Sequence, residues 1–562
     1  MKVVIVGGVA GGAGTAARLR RNDESAEIIM LERGEYISYA NCGLPYYVGG
    51  VITDKEALQL QTPERFHSRF RVDVRVKNEV VSVDTQKKCV TVKNGDNTYE
   101  ESYDKLVLSP GASPVRPPIP GMADNHVFTL RSIPDTYAVY DFVEAEKPAS
   151  CAVIGAGFIG LEMAENLAER GLKVSVVEGA AHVMPPIDMD MAHEVHNYIR
   201  AQGIGLYLGQ TCTAMDEEGV ILSDGRKVQA DMVILSIGVR PDTGFLKDSG
   251  IALGQRGEIL VNEYMETSAA DVYALGDAVS VRHVVSGNQV LIPLASPANK
   301  QGRIVGDNLC GKRTAYKGSQ GTSIMKFFGM TVAVTGEKEE SLAAQGRSYK
   351  KVITTSASQA GYYPGGEMMT VKTLFDPETG VILGAQIVGG KGVDKRIDDL
   401  ANAVRFKMTA YDLQEMELAY APPFSSAKDP VNMAGYVIGN VLEGLMKPFY
   451  VEDIEKIPAD AIRLDVRTEE EAANGAIPGF INIPLDSLRD RIDELDLKKE
   501  IYITCQIGLR GYLAQRILEQ SGAKTRNLSG GYRFYEMMEK DQKSMAAVAG
   551  MCTACGMEIE NK

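Results

Sequence analysis

Eight cysteines are spread over 562 residues, at positions 42, 89, 151, 212, 310, 505, 552 and 555. That is not the dense framework of a small disulfide-stapled domain. Only Cys552 and Cys555 form a CxxC, and no second pair completes a zinc set, so no metal site is expected. The chemistry to look for is that of single thiols. Cys505 ends the apolar run Ile501-Tyr502-Ile503-Thr504 and leads through Gln506-Ile507-Gly508-Leu509-Arg510-Gly511 into a helical stretch. A cysteine at a strand end, cradled by loop amides and the next helix N-terminus, has its anionic sulfur stabilised and can hold an extra sulfur as a persulfide. Cys42, in Ser38-Tyr39-Ala40-Asn41-Cys42-Gly43-Leu44-Pro45-Tyr46, also precedes a helical stretch. The same reasoning predicts a lowered thiol pKa there. The tail around Cys552 and Cys555 has three readings: a solvated end, half of a shared metal site, or a mobile dithiol that reduces adducts of the other two thiols.

Two glycine-rich turns point to phosphate binding. Val3-Val4-Ile5-Val6 runs into Gly7-Gly8-Val9-Ala10-Gly11-Gly12 and an Ala/Arg-rich helix. Cys151-Ala152-Val153-Ile154 runs into Gly155-Ala156-Gly157-Phe158-Ile159-Gly160 and another helix. Each unit is followed by an apolar run that ends in an acid, Glu32 (then Arg33) and Glu178. Glycines let the backbone approach a pyrophosphate, the helix N-terminus supplies amide donors, and the acid accepts from ribose hydroxyls. The predicted contacts are Gly7, Gly8, Gly12, Glu32 and Arg33 in the first unit, and Gly155, Gly157, Gly160 and Glu178 in the second. The first copy has Val9 where the middle glycine is usual. A later strand, in Thr267 to Ala278, ends at Gly276-Asp277.

These motifs need a scaffold. A chain this long holds several domains. Hydrophobic residues make up 44% and charged ones 24%, as in a globular protein. The net charge of -14 argues against nucleic-acid binding. No apolar run approaches the ~20 residues of a membrane span. The first residues read as a buried strand, not a signal segment, and a cytoplasmic location is expected. Strand–helix–strand alternation with glycines at the first turn implies an α/β protein with two doubly wound, Rossmann-like domains. After Gly321, alternating runs predict antiparallel strands, and helices are expected near 394–408 and 432–446. A new α/β unit starts at Ile462.

The motifs resemble the single-cysteine class of flavin-dependent pyridine nucleotide-disulfide reductases, and within it the coenzyme A-disulfide reductases. Gly276-Asp277 resembles the second flavin motif, in which the Asp meets the ribityl and phosphate region. Ser109-Pro110-Gly111-Ala112 and Ile237-Gly238-Val239-Arg240-Pro241 resemble the crossings between the FAD and NAD(P) domains. The resemblance assigns FAD to the first glycine unit and the nicotinamide cofactor to the second. Glu178 favours a 2′-hydroxyl, and Gly179-Ala180-Ala181 bring no cation, so NADH is expected over NADPH. Most such reductases carry CxxxxC, but here Tyr47 stands in the second place, leaving Cys42 as a lone redox thiol. Members that handle peroxide or oxygen usually carry a His in the first glycine loop, where this chain has Gly8-Val9-Ala10-Gly11. Gly361-Tyr362-Tyr363-Pro364-Gly365 and Tyr420-Ala421-Pro422-Pro423-Phe424-Ser425-Ser426-Ala427-Lys428-Asp429 resemble segments that carry two tyrosines to the partner subunit's active-site sulfur. These map to Tyr362 and Tyr420, with Tyr363 the rival for the first. The same resemblance places coenzyme A at Arg18, Arg21, Ser38, Asn41 and Lys428, although a solvated charged helix face also explains the arginines. It implies a homodimer with a shared active site.

The C-terminal unit resembles a rhodanese domain. It has Asp465-Val466-Arg467, then Gly475-Ala476-Ile477-Pro478-Gly479 with Ala476 where His is usual, and the CxxGxR loop from Cys505 to Arg510. Arg510 is expected to orient the loop or to bind an anionic donor. The expected domains are 1–110 with 245–325 (FAD), 111–244 (NAD), an α+β dimerisation domain 326–446, a linker 447–458, the rhodanese domain 459–545 and a tail 546–562. The expected function is NADH-dependent reduction of coenzyme A persulfide, polysulfide or coenzyme A disulfide at Cys42, with Cys505 handling sulfane sulfur. The alternatives are an NADH oxidase or peroxidase with a sulfenic Cys42, and a redox-sensing sulfur-carrier protein.

Overall fold

The computed structural model describes residues 1–122 and 126–560, with side chains described through residue 546. Cys552 and Cys555 therefore lie outside the described side chains. The chain divides into two compact units, Met1–Ala180 with Ile204–Gly321, and Ala181–Gly203 with Thr322–Lys562.

The first unit holds two five-stranded parallel sheets. In the first, Lys2–Val6 is central, with Glu27–Glu32 on one side and Lys105–Leu108 on the other; Asp73–Val76 and Val272–Ala274 form the edges. In the second, Ser150–Ile154 is central between Lys173–Glu178 and Met232–Leu235, with Gly205–Leu208 and Val127–Phe128 outside. The central strands read as unbroken apolar runs because both faces of a parallel sheet are covered. Val3, Val4, Ile5, Ala152 and Val153 are accordingly buried. Ligand-binding residues collect at the carboxyl ends of such strands, where the glycine turns lie.

The second unit holds an antiparallel and a parallel sheet. The antiparallel order is Ser323–Phe327, Met330–Gly336, Ile382–Gly389, Met368–Phe375, Lys350–Ala357. Helices Val393–Phe406 and Pro430–Leu442 follow, each within a few residues of its expected place. The parallel order is Pro448–Phe449, Lys524–Leu528, Glu500–Thr504, Ile462–Asp465, Ile481–Asn482. The first of these strands corrects the expected linker 447–458. Pro448 and Phe449 pair with Asn527 and Leu528, and Phe449 is buried. The segment is the edge strand of the last sheet, and a proline at such an edge costs no ladder bond.

A buried polar hub joins helix Met189–Ala201 to the long helix Gly531–Glu560. Asp541 Oδ2 accepts from His193 Nδ1 at 2.5 Å and His196 Nδ1 at 2.8 Å, and its other oxygen pairs with Arg200. The Val183 N–H donates to His196 Nε2 at 3.1 Å, so the His196 proton sits on Nδ1 and the ring is neutral. These three metal-capable groups thus satisfy one another. In the neighbouring cluster of Asp188, Asp190 and Glu339, the Lys372 ammonium fills the centre. Burial pushes His196 below its ordinary value despite Asp541. Burial alone would raise Asp541, but the bonds from His193 and His196 and the Arg200 guanidinium hold it well below the usual carboxylate range.

Asp541→Ala is expected to cost about 3–5 kcal/mol in urea unfolding, because it strands buried partners. Both His196 and Asp541 have folded-state values below their unfolded ones. Their stabilisation is therefore full above the ordinary His value of 6.5. It falls as pH drops through that value, and further as pH drops below the ordinary Asp value of 3.8. Urea midpoints measured from pH 8 downward check the sign. Among the described residues, no helix is long and apolar enough to cross a membrane.

Candidate active site and dinucleotide troughs

The two glycine turns are built alike. Gly7 has φ +94° and Gly155 φ +101°, conformations that other residues rarely adopt. A Cβ on Gly7 would lie 2.1 Å from the Ser109 carbonyl oxygen, and one on Gly155 2.5 Å from that of Ser236. A Cβ on Gly12 would lie 1.9 Å from Gly7 O, and one on Gly160 1.9 Å from Gly155 O. The first and third glycines are therefore fixed by backbone crowding. The middle position is different. Val9 has φ -93° and Gly157 φ -79°, both open to any residue, and a Cβ on Gly157 meets nothing within 4 Å. This is why the fold tolerates Val9.

The acids repeat the symmetry. Glu32 accepts from the amides of Gly8 and Gly34, each at 2.8 Å. Glu178 accepts from the amides of Ala156 at 2.7 Å and Ala180 at 2.8 Å. Each carboxylate is thus held beside its glycine turn. Two cavities, of about 360 and 310 Å³, share Gly7, Glu32, Arg33 and Pro110. The larger one runs past Val9, Gly11, Asn41, Arg131, Gly276 and Asp277. The smaller one runs past Asn78, Val80, Val81 and Phe245. Together they make a trough that turns about Glu32, a shape suited to a dinucleotide. Asn41 Oδ1 is buried without a hydrogen-bond partner, so this wall of the trough keeps an acceptor unused. Arg33 is paired with Asp242.

Cys42 is free and exposed, in the short turn Asn41–Gly43 that precedes the five-residue helix Leu44–Val48. The expected lowering of its pKa is reversed. Burial of the sulfur, then the carboxylates of Glu162 and Asp277, push the thiol up. A five-residue helix offers too little dipole to oppose two carboxylates. Glu162 was not among the expected site residues. It lies two positions after Gly160, on the helix Phe158–Glu169 that packs against Leu44–Val48. The Tyr46 hydroxyl donates to it at 3.4 Å. Burial pushes the Glu162 carboxyl up to about 7.

In the second unit, the hydroxyls of Tyr362 and Tyr420 lie 2.7 Å apart, and both rings are exposed, the first by 76%. Tyr362 is thus hydrogen-bonded to Tyr420. A buried arginine holds the two loops together. Arg396 donates to Ser358 O at 3.0 Å and Ser425 Oγ at 2.9 Å and pairs with Asp429 at 2.9 Å, while Ala360 N donates to Ser425 O at 2.9 Å. Sequence reasoning missed Arg396; its only signal is a lone cation on the apolar side of a helix.

The expected coenzyme A residues separate. Arg18 is engaged by Asp307, its Nε and Nη2 both near 2.7 Å from Oδ1. Arg21 and Lys428 are exposed. Ser38 is held at φ +46°, its amide donating to Gly8 O and its carbonyl accepting from Leu60 N. That ties the Cys42 segment to the first glycine turn.

Cys505 ends strand Glu500–Thr504 and is buried. Gly508, at φ +103°, donates its amide to Cys505 Sγ at 3.1 Å. One loop amide therefore reaches the sulfur, fewer than the cradle expected. Asn527 Nδ2 donates to Gly508 O at 2.9 Å and fixes the turn. Arg510 makes two bonds of 2.7 Å to Glu471, whose carboxyl they hold down at about 2. Arg510 is thus occupied by Glu471. Arg467 lies 3.8 Å over the Tyr532 ring and pairs with Asp465. Ala476 is exposed.

Residues 1–302 match the model of the pyridine nucleotide-disulphide oxidoreductases, residues 322–430 that of their dimerisation domain, and residues 451–537 that of rhodanese-like domains. A coenzyme A disulfide reductase of Staphylococcus aureus is 36% identical over 438 residues, 77% of this chain and 99% of that protein. The crystal structure of the reduced Bacillus anthracis CoADR-RHD is similar, with a TM-score of 0.94, 48% identity, and coverage of 96% of this chain and 98% of that one. So is the structure of an NAD-dependent persulfide reductase from A. fulgidus, with a TM-score of 0.90, 36% identity, and coverage of 95% of this chain and 100% of that one.

Proposed function

We propose a function for a chain that belongs to the pyridine nucleotide-disulphide oxidoreductase family and ends in a rhodanese-like domain: it is a reductase of coenzyme A disulfide and coenzyme A persulfide, with polysulfide a further substrate. One observation carries the reading. A single chain has an exposed, unpartnered thiol, Cys42, in the field of the trough residue Asp277, and a second thiol, Cys505, whose sulfur accepts an amide hydrogen bond. The family implies FAD and NAD(P)H, and a dimerisation domain implies a homodimer. Glu178, with no cation among its three following residues, favours NADH.

The trough about Glu32 suits FAD, with Gly7, Gly8, Gly12, Glu32, Arg33, Gly276 and Asp277 as its contacts. When bound, FAD accepts hydride from NADH and delivers an electron pair to sulfur. The chain's residues do the rest. The Cys42 thiolate attacks the substrate R–S–S–R′, forming a Cys42–S–R bond and releasing R′S⁻. The electron pair then breaks that bond and returns the Cys42 thiolate and RS⁻. The sum is NADH + H⁺ + RSSR′ → NAD⁺ + RSH + R′SH; for coenzyme A persulfide one product is hydrogen sulfide. Tyr362 and Tyr420 of the other protomer donate to the departing thiolate. Arg21, Ser38 and Asn41 bind coenzyme A, joined by Arg18 when Asp307 releases it. Cys505 takes sulfane sulfur as a persulfide and passes it to coenzyme A.

The test is anaerobic NADH consumption with coenzyme A persulfide and with coenzyme A disulfide. Many turnovers are expected with both. Turnover with peroxide alone would overturn the reading in favour of an oxidase or peroxidase. Consumption that stops at one equivalent would favour a sulfur carrier.

A further inference from the structure

The four residues between Cys505 and Arg510, Gln506-Ile507-Gly508-Leu509, carry no charge. Leu509 follows the Gly508 amide that donates to the sulfur, and its side chain is exposed. Three arginines touch this loop or belong to it, and each faces a carboxylate. Arg467 reaches Gln506 Oε1 at 3.5 Å and pairs with Asp465 at 2.7 Å. Arg533 donates its amide to Gln506 O at 3.0 Å, and its guanidinium pairs with Glu194 at 3.1 Å. Arg510 lies in the first turn of the helix whose N-cap residue, Gly508, holds the sulfur. It gives both terminal nitrogens to Glu471, each at 2.7 Å.

Glu471 is also fixed from its own side. Its Oε2 accepts from Thr468 N at 2.9 Å and from Thr468 Oγ1 at 3.2 Å, and its amide donates to Thr468 Oγ1 at 3.2 Å. The Arg510 bonds hold its carboxyl down at about 2, so it stays ionised throughout the neutral range. Both side chains of the pair are about one-third exposed, at 31% and 34%, so an entering ligand can meet them.

We propose that Glu471 sets the donor specificity of sulfur transfer: by occupying both arms of Arg510 it denies that cation to anionic donors, and the loop takes its sulfur from hydropersulfides whose arm is uncharged near the sulfur. The inference rests on the reading of Cys505 as the thiol that accepts sulfane sulfur. A sulfonate beside the reacting sulfur needs a cation to receive it, and here it meets the Glu471 carboxylate. The fork of Arg510 that would grip it is already closed on that carboxylate. Coenzyme A persulfide fits the rule, because the pantetheine arm is neutral and the phosphates lie far from the sulfur. Thiosulfate does not, because its sulfonate is bonded to the transferable sulfur.

The step balances. Cys505–S⁻ + R–S–SH gives Cys505–S–SH + R–S⁻. The bond from Cys505 to the terminal sulfur forms, the bond from that sulfur to R–S breaks, and its electron pair leaves on the thiolate of the arm.

The experiment compares two donors that differ in one group, 2-hydroxyethyl hydropersulfide and 2-sulfonatoethyl hydropersulfide. Their rates of sulfur addition to Cys505 are measured by peptide mass spectrometry on the NADH-free holoenzyme. The wild type is expected to prefer the neutral donor by about tenfold or more in second-order rate. Glu471→Gln is expected to bring the ratio to about two or below, since an amide leaves the Arg510 charge unopposed, and Glu471→Asp to keep the wild-type ratio. A ratio of two rates on one protein is not moved by a general loss of activity, as a merely structural role for Glu471 would cause. If Glu471→Gln takes sulfur from neither donor, Glu471→Ala replaces it and is read in the same way. A wild-type ratio near one overturns the proposal, and so does an unchanged ratio in the uncharged variant or an equal fall in Glu471→Asp. Wild-type protein that takes sulfur on Cys505 from neither donor defeats the underlying reading of Cys505 and this inference with it, whereas equal use of both donors defeats this inference alone.

Discussion

Cys42→Ser is expected to abolish NADH-dependent reduction of coenzyme A disulfide and persulfide, by about 10⁴-fold or more in kcat. The size follows from the chemistry. A serine hydroxyl ionises far above neutral pH and forms no stable bond to a substrate sulfur, so both halves of the cycle lose their covalent carrier. Among the described residues no thiol takes the resolving position, because Tyr47 fills it and is itself largely buried. The substitution is structurally mild. Cys42 is exposed and forms no disulfide, so stability is expected to stay within about 0.5 kcal/mol. Flavin binding is expected to persist, since the glycine turn and Glu32 are untouched. Stopped-flow mixing with NADH checks this: flavin reduction survives in the variant while steady-state turnover disappears. Turnover within tenfold of wild type would remove Cys42 from the mechanism.

The parts of this site that sequence exposed are those encoded within about 30 residues. Gly7 to Glu32 and Gly155 to Glu178 are each one strand–helix–strand unit, and their glycines and acids sit where local pattern put them. Even the irregular Val9 proves compatible, since its backbone angle needs no glycine. What sequence hid depends on distant pairs. Asp307 meets Arg18 across 289 positions, and Asp541 meets His196 across 345. Pro448 and Phe449 look like a linker until Asn527 and Leu528 are placed beside them. The pKa of Cys42 failed for the same reason. A local helix argument omits Glu162 and Asp277, which only the folded chain brings to the sulfur. Arg396 shows the converse: a fully buried arginine is legible only once Asp429, Ser425 and Ser358 surround it.

The second large effect separates the two thiols. Cys505→Ser is expected to eliminate persulfide formation in the C-terminal domain, by about 10³-fold or more, because an oxygen cannot carry sulfane sulfur. The loop itself should survive. Its shape comes from the Gly508 turn, the Asn527 bond to Gly508 O, the Arg510–Glu471 pair and the amides of Tyr532 and Arg533 on the carbonyls of Cys505 and Gln506. None of these uses the sulfur, and a serine hydroxyl can still accept from Gly508 N. A buried hydroxyl in place of a thiol costs about 1 kcal/mol. Mass spectrometry after incubation with a persulfide donor should find one added sulfur on Cys505 in the wild type and none in the variant. Coenzyme A disulfide, whose reduction needs only Cys42, should still be turned over by Cys505→Ser. Equal loss of disulfide reduction in this variant would mean that the two thiols act in one obligatory relay, and the division of labour between them would have to be abandoned.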